Sequence, residues 1–218
     1  MQPLRRGDPG RIAPMKRNLR SASRPARHDR APHAVRIIGG AWKRTPIPVA
    51  DAPGLRPTPD RVRETLFNWI AHLKPDLAAL RGLDLFAGTG ALGFELASRG
   101  AAHVTLVERD AKLVARLNAL RDKLGATRIE IVAGDALAVA ARLADRSFDI
   151  VFVDPPYDVG LLAPALDAVR RLIAPGGLVY AESGEPIGAA QAAAHGYEVV
   201  RADRAGRVFF HLLRRGAS

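Results

Sequence analysis

From residue 81 onward the chain alternates short apolar runs with stretches of helical apolar spacing. Runs at 82–87, 103–108, 128–132, 148–154, 176–182, 196–202 and 206–213 predict strands. Segments near 90–99, 110–124, 136–144, 161–173 and 187–195 predict helices. Parallel strands need a long crossover, and an intervening helix supplies it, so this alternation predicts a mostly parallel sheet covered on both faces. The run Phe148-Asp149-Ile150-Val151-Phe152-Val153 is apolar except for Asp149, which suits a central strand. The last two runs are parted only by Asp203-Arg204-Ala205-Gly206 and should pair antiparallel as a hairpin. The expected class is α/β, a Rossmann-like doubly wound sheet.

Upstream, Val35–Gly40 reads as a short strand closed by a Gly-Gly turn, and Trp42–Val49 as a proline-bearing edge strand. Arg36, Lys43 and Arg44 would lie on the surface of this small hairpin. Residues 50–57 form a Pro/Gly loop. Thr58-Pro59-Asp60 then opens a helix: Thr suits the N-cap, Pro the first turn, and Asp the helix dipole. Val62, Leu66, Trp69 or Ile70, and Leu73 make its apolar stripe. Arg61 and Arg63 are read as exposed helix charges that either face RNA or cofactor, or are simply solvated. The expected organisation is a disordered basic arm over 1–34, a hairpin module over 35–57 and the wound α/β domain with its leading helix over 58–218.

Charge separates the arm from the rest. Residues 1–36 hold ten Lys/Arg and two Asp, whereas the other 182 residues hold 23 Lys/Arg and 20 Asp/Glu. A segment so rich in Arg and Pro cannot bury enough apolar surface to fold alone. It reads as a phosphate-binding tail, since polycations gain affinity by displacing counterions from nucleic acid. A passive extension, a transit peptide and a true start at Met15 are competing readings. With no Cys in the sequence, disulfides, thiolate metal sites and a Cys nucleophile are excluded. The six His are scattered, so no metal constellation is expected. No apolar run reaches the roughly 18 residues of a membrane span.

Two local motifs carry chemistry. Leu83-Asp84-Leu85-Phe86-Ala87-Gly88-Thr89-Gly90-Ala91-Leu92-Gly93 places a GxGxxG between strand and helix, and Glu108 ends the next strand, 20 positions after Gly88. Glycines let backbone approach a ligand, and an acid at that distance can accept from two ribose hydroxyls. The ligand is a dinucleotide such as NAD or it is S-adenosylmethionine. Gly134-Asp135 follows the third strand, where Asp135 can accept from an adenine amine. Asp154-Pro155-Pro156-Tyr157 ends the fourth. There a carboxylate and the Pro155 carbonyl are acceptors, prolines stiffen the turn, and Tyr157 offers a stacking face. A dehydrogenase leaves that motif unexplained.

Together, Asp84-Leu-Phe-Ala-Gly-Thr-Gly, Glu108, Gly134-Asp135 and Asp154-Pro-Pro-Tyr resemble class I S-adenosylmethionine-dependent methyltransferases acting on amino groups. Arg36-Ile-Ile-Gly-Gly-Ala-Trp-Lys and Gly54-Leu-Arg-Pro-Thr-Pro-Asp-Arg-Val-Arg-Glu-Thr-Leu-Phe-Asn-Trp69 resemble the RsmD family of bacterial 16S rRNA guanine-N2 methyltransferases. The resemblance spans residues 35–213. It implies a seven-stranded sheet with an antiparallel last strand, plus a small N-terminal hairpin and helix. It implies S-adenosylmethionine as cofactor, with Asp84, Phe86, Gly88, Gly90, Glu108, Asp135 and Asp154 lining it. It places the target guanine on Asp154, Pro155, Pro156 and Tyr157. The partner implied is 16S rRNA in an assembling 30S particle, with no membrane, a monomeric enzyme and a cytoplasmic setting.

An aromatic amine is a poor nucleophile, so two acceptors on its N–H groups would aim its lone pair at the methyl. An Asp at 154 leans toward guanine, whose N1–H and N2–H can both donate to one carboxylate. The rivals are an adenine-N6 methyltransferase on DNA or RNA, a protein-glutamine methyltransferase, and a non-catalytic RNA-binding protein keeping the fold.

Overall fold

The computed structural model describes residues 34–49, 58–156 and 160–216. The basic arm (apart from Ala34), the loop 50–57 and Tyr157 lie outside them. Two strands, β1 (Ala34–Arg36) and β2 (Pro46–Pro48), pair antiparallel with Val35 opposite Ile47. Helix α1 (Asp60–Leu73) and a 3-10 turn (Leu77–Ala79) lead into the main sheet. Its strands are β3 (Arg81–Asp84), β4 (His103–Glu108), β5 (Ile129–Ala133), β6 (Phe148–Val153), β7 (Ile173–Ser183), β8 (Tyr197–Ala205) and β9 (Val208–Arg215). Between them run α2 (Ala91–Ser98), α3 (Ala111–Leu124), α4 (Ala136–Ala140), α5 (Leu162–Arg170) and α6 (Ala189–Ala194).

The strand order is β5-β4-β3-β6-β7-β9-β8. β5 through β7 are parallel, and β9 inserts antiparallel between β7 and β8. From β3 the chain winds outward to β4 and β5, then returns to place β6 on the opposite side of β3. Crossovers leave in opposite directions there, opening a crevice at the carboxyl ends of β3 and β6, where ligands bind in open α/β sheets.

Strand residues alternate between two cores, as the period of two requires. Leu106, Ile150, Phe152, Leu178 and Tyr180 face α1, α2, α3 and the hairpin. Val107, Val151, Val153, Val179 and Ala181 face α4, α5 and α6. Phe67 on α1 meets Phe152 with ring centroids 6.1 Å apart and planes tilted by 59°, and Trp69 stacks on Phe210 at 5.4 Å. α1 is thus part of the sheet's cover.

Several local expectations shift. The second hairpin strand contracts to Pro46–Pro48 because Trp42–Arg44 form the turn, with Arg44 at φ +71°. β7 starts at Ile173, before the expected 176, and α5 ends at Arg170. Pro59, not Thr58, is the N-cap of α1, and no side chain caps it. The Thr58 hydroxyl donates instead to Glu182 at 2.7 Å.

Candidate functional site

Strand β3 delivers Asp84 to the crevice, fully buried. Its Oδ2 accepts the N–H of Gly93 in the first turn of α2 at 3.0 Å. Burial pushes this carboxyl up to about 7, against the pull of the Gly93 N–H and with help from the negative charge of Glu108. The loop between uses glycine where other residues would be strained: Gly88 has φ +53° and Gly90 φ +79°. At Gly90 a β-carbon would also fall 2.6 Å from Leu117 Cδ2. Phe86 is half-buried beside this bend.

Glu108 leaves the end of β4 and folds back over the glycine loop. It accepts Gly88 N–H at 2.8 Å and Asp110 N–H at 2.8 Å. Asp135, exposed at the end of β5, caps α4 through Ala138 N–H at 3.0 Å. Both acids therefore stand at the strand ends where the sequence put them, each already holding backbone.

Asp154 follows β6 directly. Phe152 pairs with Asp84, so Asp154 stands just past the end of β3. Its carboxyl is held well above the ordinary carboxylate range by burial, by the charges of Glu182 and Asp84, and against a hydrogen bond from Thr58. Pro155 is buried and Pro156 exposed. A cavity of about 80 Å³ adjoins both prolines and is closed by Leu161, Leu162, Glu182 and Ser183. Glu182, near the end of β7, had no place in the sequence-based site. The available signal was its position: an acid closing an apolar strand beside the one that ends in Asp154.

The donor set selects the charge of the ligand. Asp84, Glu108, Asp154 and Glu182 gather at neighbouring strand ends. Gly88 and Gly93 N–H groups, which a pyrophosphate would need, already serve carboxylates. An anion there would meet like charge, whereas a cation bearing hydroxyl and amino groups meets acceptors. The residues fit S-adenosylmethionine and oppose the dinucleotide alternative.

The cations expected to contact RNA separate into two groups. Lys43, Arg44 and Arg61 are exposed, and exposed Arg36 reaches Asp60 at 3.3 Å. Arg63 is not a surface residue: it is fully buried, bonded to Asp60 at 2.6 Å and 3.6 Å from buried Glu95. It sits on the apolar side of α1, where the sheet and α2 close over it. Among the described residues no cluster of His, Asp or Glu could hold a metal ion, and no helix is long and apolar enough to cross a membrane.

A second groove of about 250 Å³ runs between β2 and α3 to Gly88 and Thr89, with Arg116 and Lys123 among its lining.

Known proteins share this arrangement. The family model described as "Conserved hypothetical protein 95" matches residues 35–214. The "Ribosomal RNA small subunit methyltransferase D" of Escherichia coli K12 is 40% identical over 185 residues, covering 84% of this chain and 91% of that protein. The Haemophilus influenzae protein of the same name is 38% identical over 154 residues, covering 68% and 78%. The solved structure of Escherichia coli yhhF superposes with a TM-score of 0.72 at 40% identity, covering 85% of this chain and 99% of that one. With the family model spanning nearly all the described residues, and a relative 40% identical over most of both chains, the chain belongs to the RsmD family of ribosomal RNA methyltransferases.

Proposed function

We propose that this protein transfers a methyl group from S-adenosylmethionine to the exocyclic N2 of one guanine in small-subunit ribosomal RNA. The observation carrying this reading is the position of Asp154: at the end of β6, across the sheet's switch point from the glycine loop, beside Asp84 and next to a small cavity. The relatives named as small-subunit rRNA methyltransferases support the substrate class.

S-adenosylmethionine, when bound, supplies an electrophilic methyl on a sulfonium. The chain's task is placement. Asp84 and Asp154 favour a cation between them, and a cation favours their ionised forms in return. The Asp154 carboxylate and the Pro155 carbonyl accept the two N–H groups of the base amine. Held so, the nitrogen lone pair is directed out of the ring plane, and the barrier falls by orientation. Of those two acceptors, the Asp154 carboxylate is the one that can take the proton that the nitrogen sheds after methylation. Tyr157 is proposed to stack on the base; base–aromatic stacking contributes about 1–3 kcal/mol. The base must leave its stack to enter, which favours a loop or a flipped nucleotide.

The test is direct. Unmodified small-subunit particles and naked rRNA are incubated with the protein and labelled cofactor, and the product nucleoside is mapped by mass spectrometry. N2-methylguanosine at a single position is expected, and lost in Asp154→Ala while cofactor binding, though weakened, stays measurable by titration. N6-methyladenosine as the product, or substantial turnover in Asp154→Ala, sinks the proposal.

A further inference from the structure

A buried polar chain links the N-terminal hairpin to the acid of the base pocket. The N–H groups of Ile38 and Gly39, just beyond β1, donate to Glu95 at 2.6 and 2.8 Å. Glu95 faces Arg63 at 3.6 Å, both side chains fully buried. Arg63 Nε donates to the Thr58 carbonyl at 3.3 Å. The Thr58 hydroxyl, also buried, donates to Glu182 Oε1 at 2.7 Å, and the Tyr180 hydroxyl reaches the same oxygen at 2.7 Å. Val153 pairs with Ala181 in the parallel register of β6 and β7, so Asp154 stands beside Glu182 and the hydroxyl that Glu182 holds, and a hydrogen bond from Thr58 favours the ionised Asp154.

Thr58 thus occupies a particular place. It is held from behind by Arg63 and shared in front between two carboxyls. A hydroxyl has one proton, so what it gives to one acid it withholds from the other. This contact spans 124 positions of sequence, and Pro59 rather than Thr58 takes the N-cap of α1.

We propose that Thr58 and Glu182 are positioning residues for Asp154, fixing the direction and charge of its carboxyl toward the base amine, and that the Glu95–Arg63 pair ties this placement to the docking of the hairpin. The inference rests on the reading that Asp154 holds that amine. Two consequences have opposite sign. Glu182 places a negative charge beside Asp154 and opposes its ionisation, whereas the Thr58 hydroxyl favours ionisation when its proton turns to Asp154. The other charged group facing Asp154 among the described residues is Asp84 on β3, itself beside Glu108, and neither is altered in the test.

The pH profile of single-turnover methylation is measured for the wild type, Glu182→Gln, Thr58→Val and Thr58→Ser, with cofactor affinity followed by titration. In Glu182→Gln the acid limb should move to lower pH, and in Thr58→Val to higher pH, each by roughly one pH unit. Thr58→Ser keeps the hydroxyl and should restore the wild-type limb. Cofactor affinity should stay within about twofold in Thr58→Val and Thr58→Ser, and any loss in Glu182→Gln, which removes one of the acids facing the cofactor, is read by the same titration and so kept apart from the shift of the limb. A Glu182→Gln limb that stays in place or moves up overturns the proposal, as does a Thr58→Val limb coincident with wild type. Asp154→Ala, run alongside, separates the two levels. If it retains turnover, the role of Asp154 itself is wrong; if it is inactive while the other limbs do not move, only the positioning role is wrong.

Discussion

Gly40 lies flat against the backbone carbonyl of Ser98: a β-carbon on Gly40 would stand 1.8 Å from that oxygen. Around this contact, Ala41 N–H donates to Ser98 O at 2.7 Å, Trp42 N–H to Ser98 Oγ at 2.9 Å, and Ser98 Oγ to the Gly39 carbonyl at 2.6 Å. The hairpin turn is thus fastened by its own backbone to the last turn of α2, the helix that begins at the glycine loop. Gly40 also has φ +76°, where a side chain is strained whatever the space.

Gly40→Ala should therefore loosen the hairpin. The clash is with backbone, so no rotamer relieves it, and the cost should be at least about 2 kcal/mol. Hydrogen exchange locates the effect. Protection should fall at Ile38, Gly39, Ala41 and Trp42 while the amides of β6 and β7 stay protected. Unchanged protection across the turn would show that the contact is not tight in solution.

Asp84 predicts the pH dependence of cofactor binding. With its carboxyl pushed up to about 7, it is largely neutral below that pH. A cationic ligand binds the ionised form better, so affinity for S-adenosylmethionine should rise with pH through this window and level off above it. The proton on Asp84 should contribute up to tenfold per pH unit to the slope below about 7, beside whatever Asp154 adds. Asp84→Asn should flatten the curve, and calorimetric titration of both proteins checks it. Stability runs the other way in the ligand-free protein. The ordinary value is 3.8, so the folded chain keeps a proton that the unfolded chain releases, and Asp84's contribution falls as pH rises from about 3.8 to about 7.

The main sheet was legible because its strands are apolar runs separated by helical spacing, and apolar runs in a two-faced sheet have few other places to go. The glycine loop, Glu108, Asp135 and Asp154 were legible as strand-end positions because each closes or follows an apolar run, and parallel strands bring those ends to one edge of the sheet. What escaped was fixed by partners distant in sequence. Arg63 reads as one more charge on a helix of mixed polarity; only folding brings Glu95 and Asp60 against it. Thr58 carries the right side chain for a cap, yet α1 begins at Asp60 with Pro59 as its N-cap, and the Thr58 hydroxyl donates to Glu182, 124 positions away. Glu182 itself sits in a run whose other residues are core. The contraction of the second hairpin strand escaped for a similar reason, since the Trp42–Arg44 turn is held by α2 rather than by a turn sequence.

His211 on β9 is buried, with Nε2 accepting the Ile187 N–H at 3.0 Å. Burial lowers its pKa below the ordinary 6.5. The unfolded chain takes up a proton near 6.5 that the folded chain refuses, so stability should drop as pH falls below that value. Denaturant unfolding between roughly pH 5 and 8, where histidine titrates, should show a steeper acid decline for the wild type than for His211→Gln. Parallel slopes would remove His211 from the acid response.

The basic arm makes a prediction about salt rather than turnover. Residues 1–33 contain nine Lys/Arg against two Asp, while the remainder of the chain is only mildly basic. If these cations contact rRNA phosphates, each contact displaces counterions and adds about 0.7–0.9 to the slope of log affinity against log salt. Removing residues 1–33 should then weaken rRNA binding most at low salt and flatten that slope by about two or more, the equivalent of three contacts. Methylation at saturating rRNA should change little, because the groups proposed to hold the base and the cofactor all lie beyond residue 57. Filter binding across a salt series decides between the readings: an unchanged slope makes the arm a passive extension, and lost turnover at saturation would place it in the catalytic complex instead.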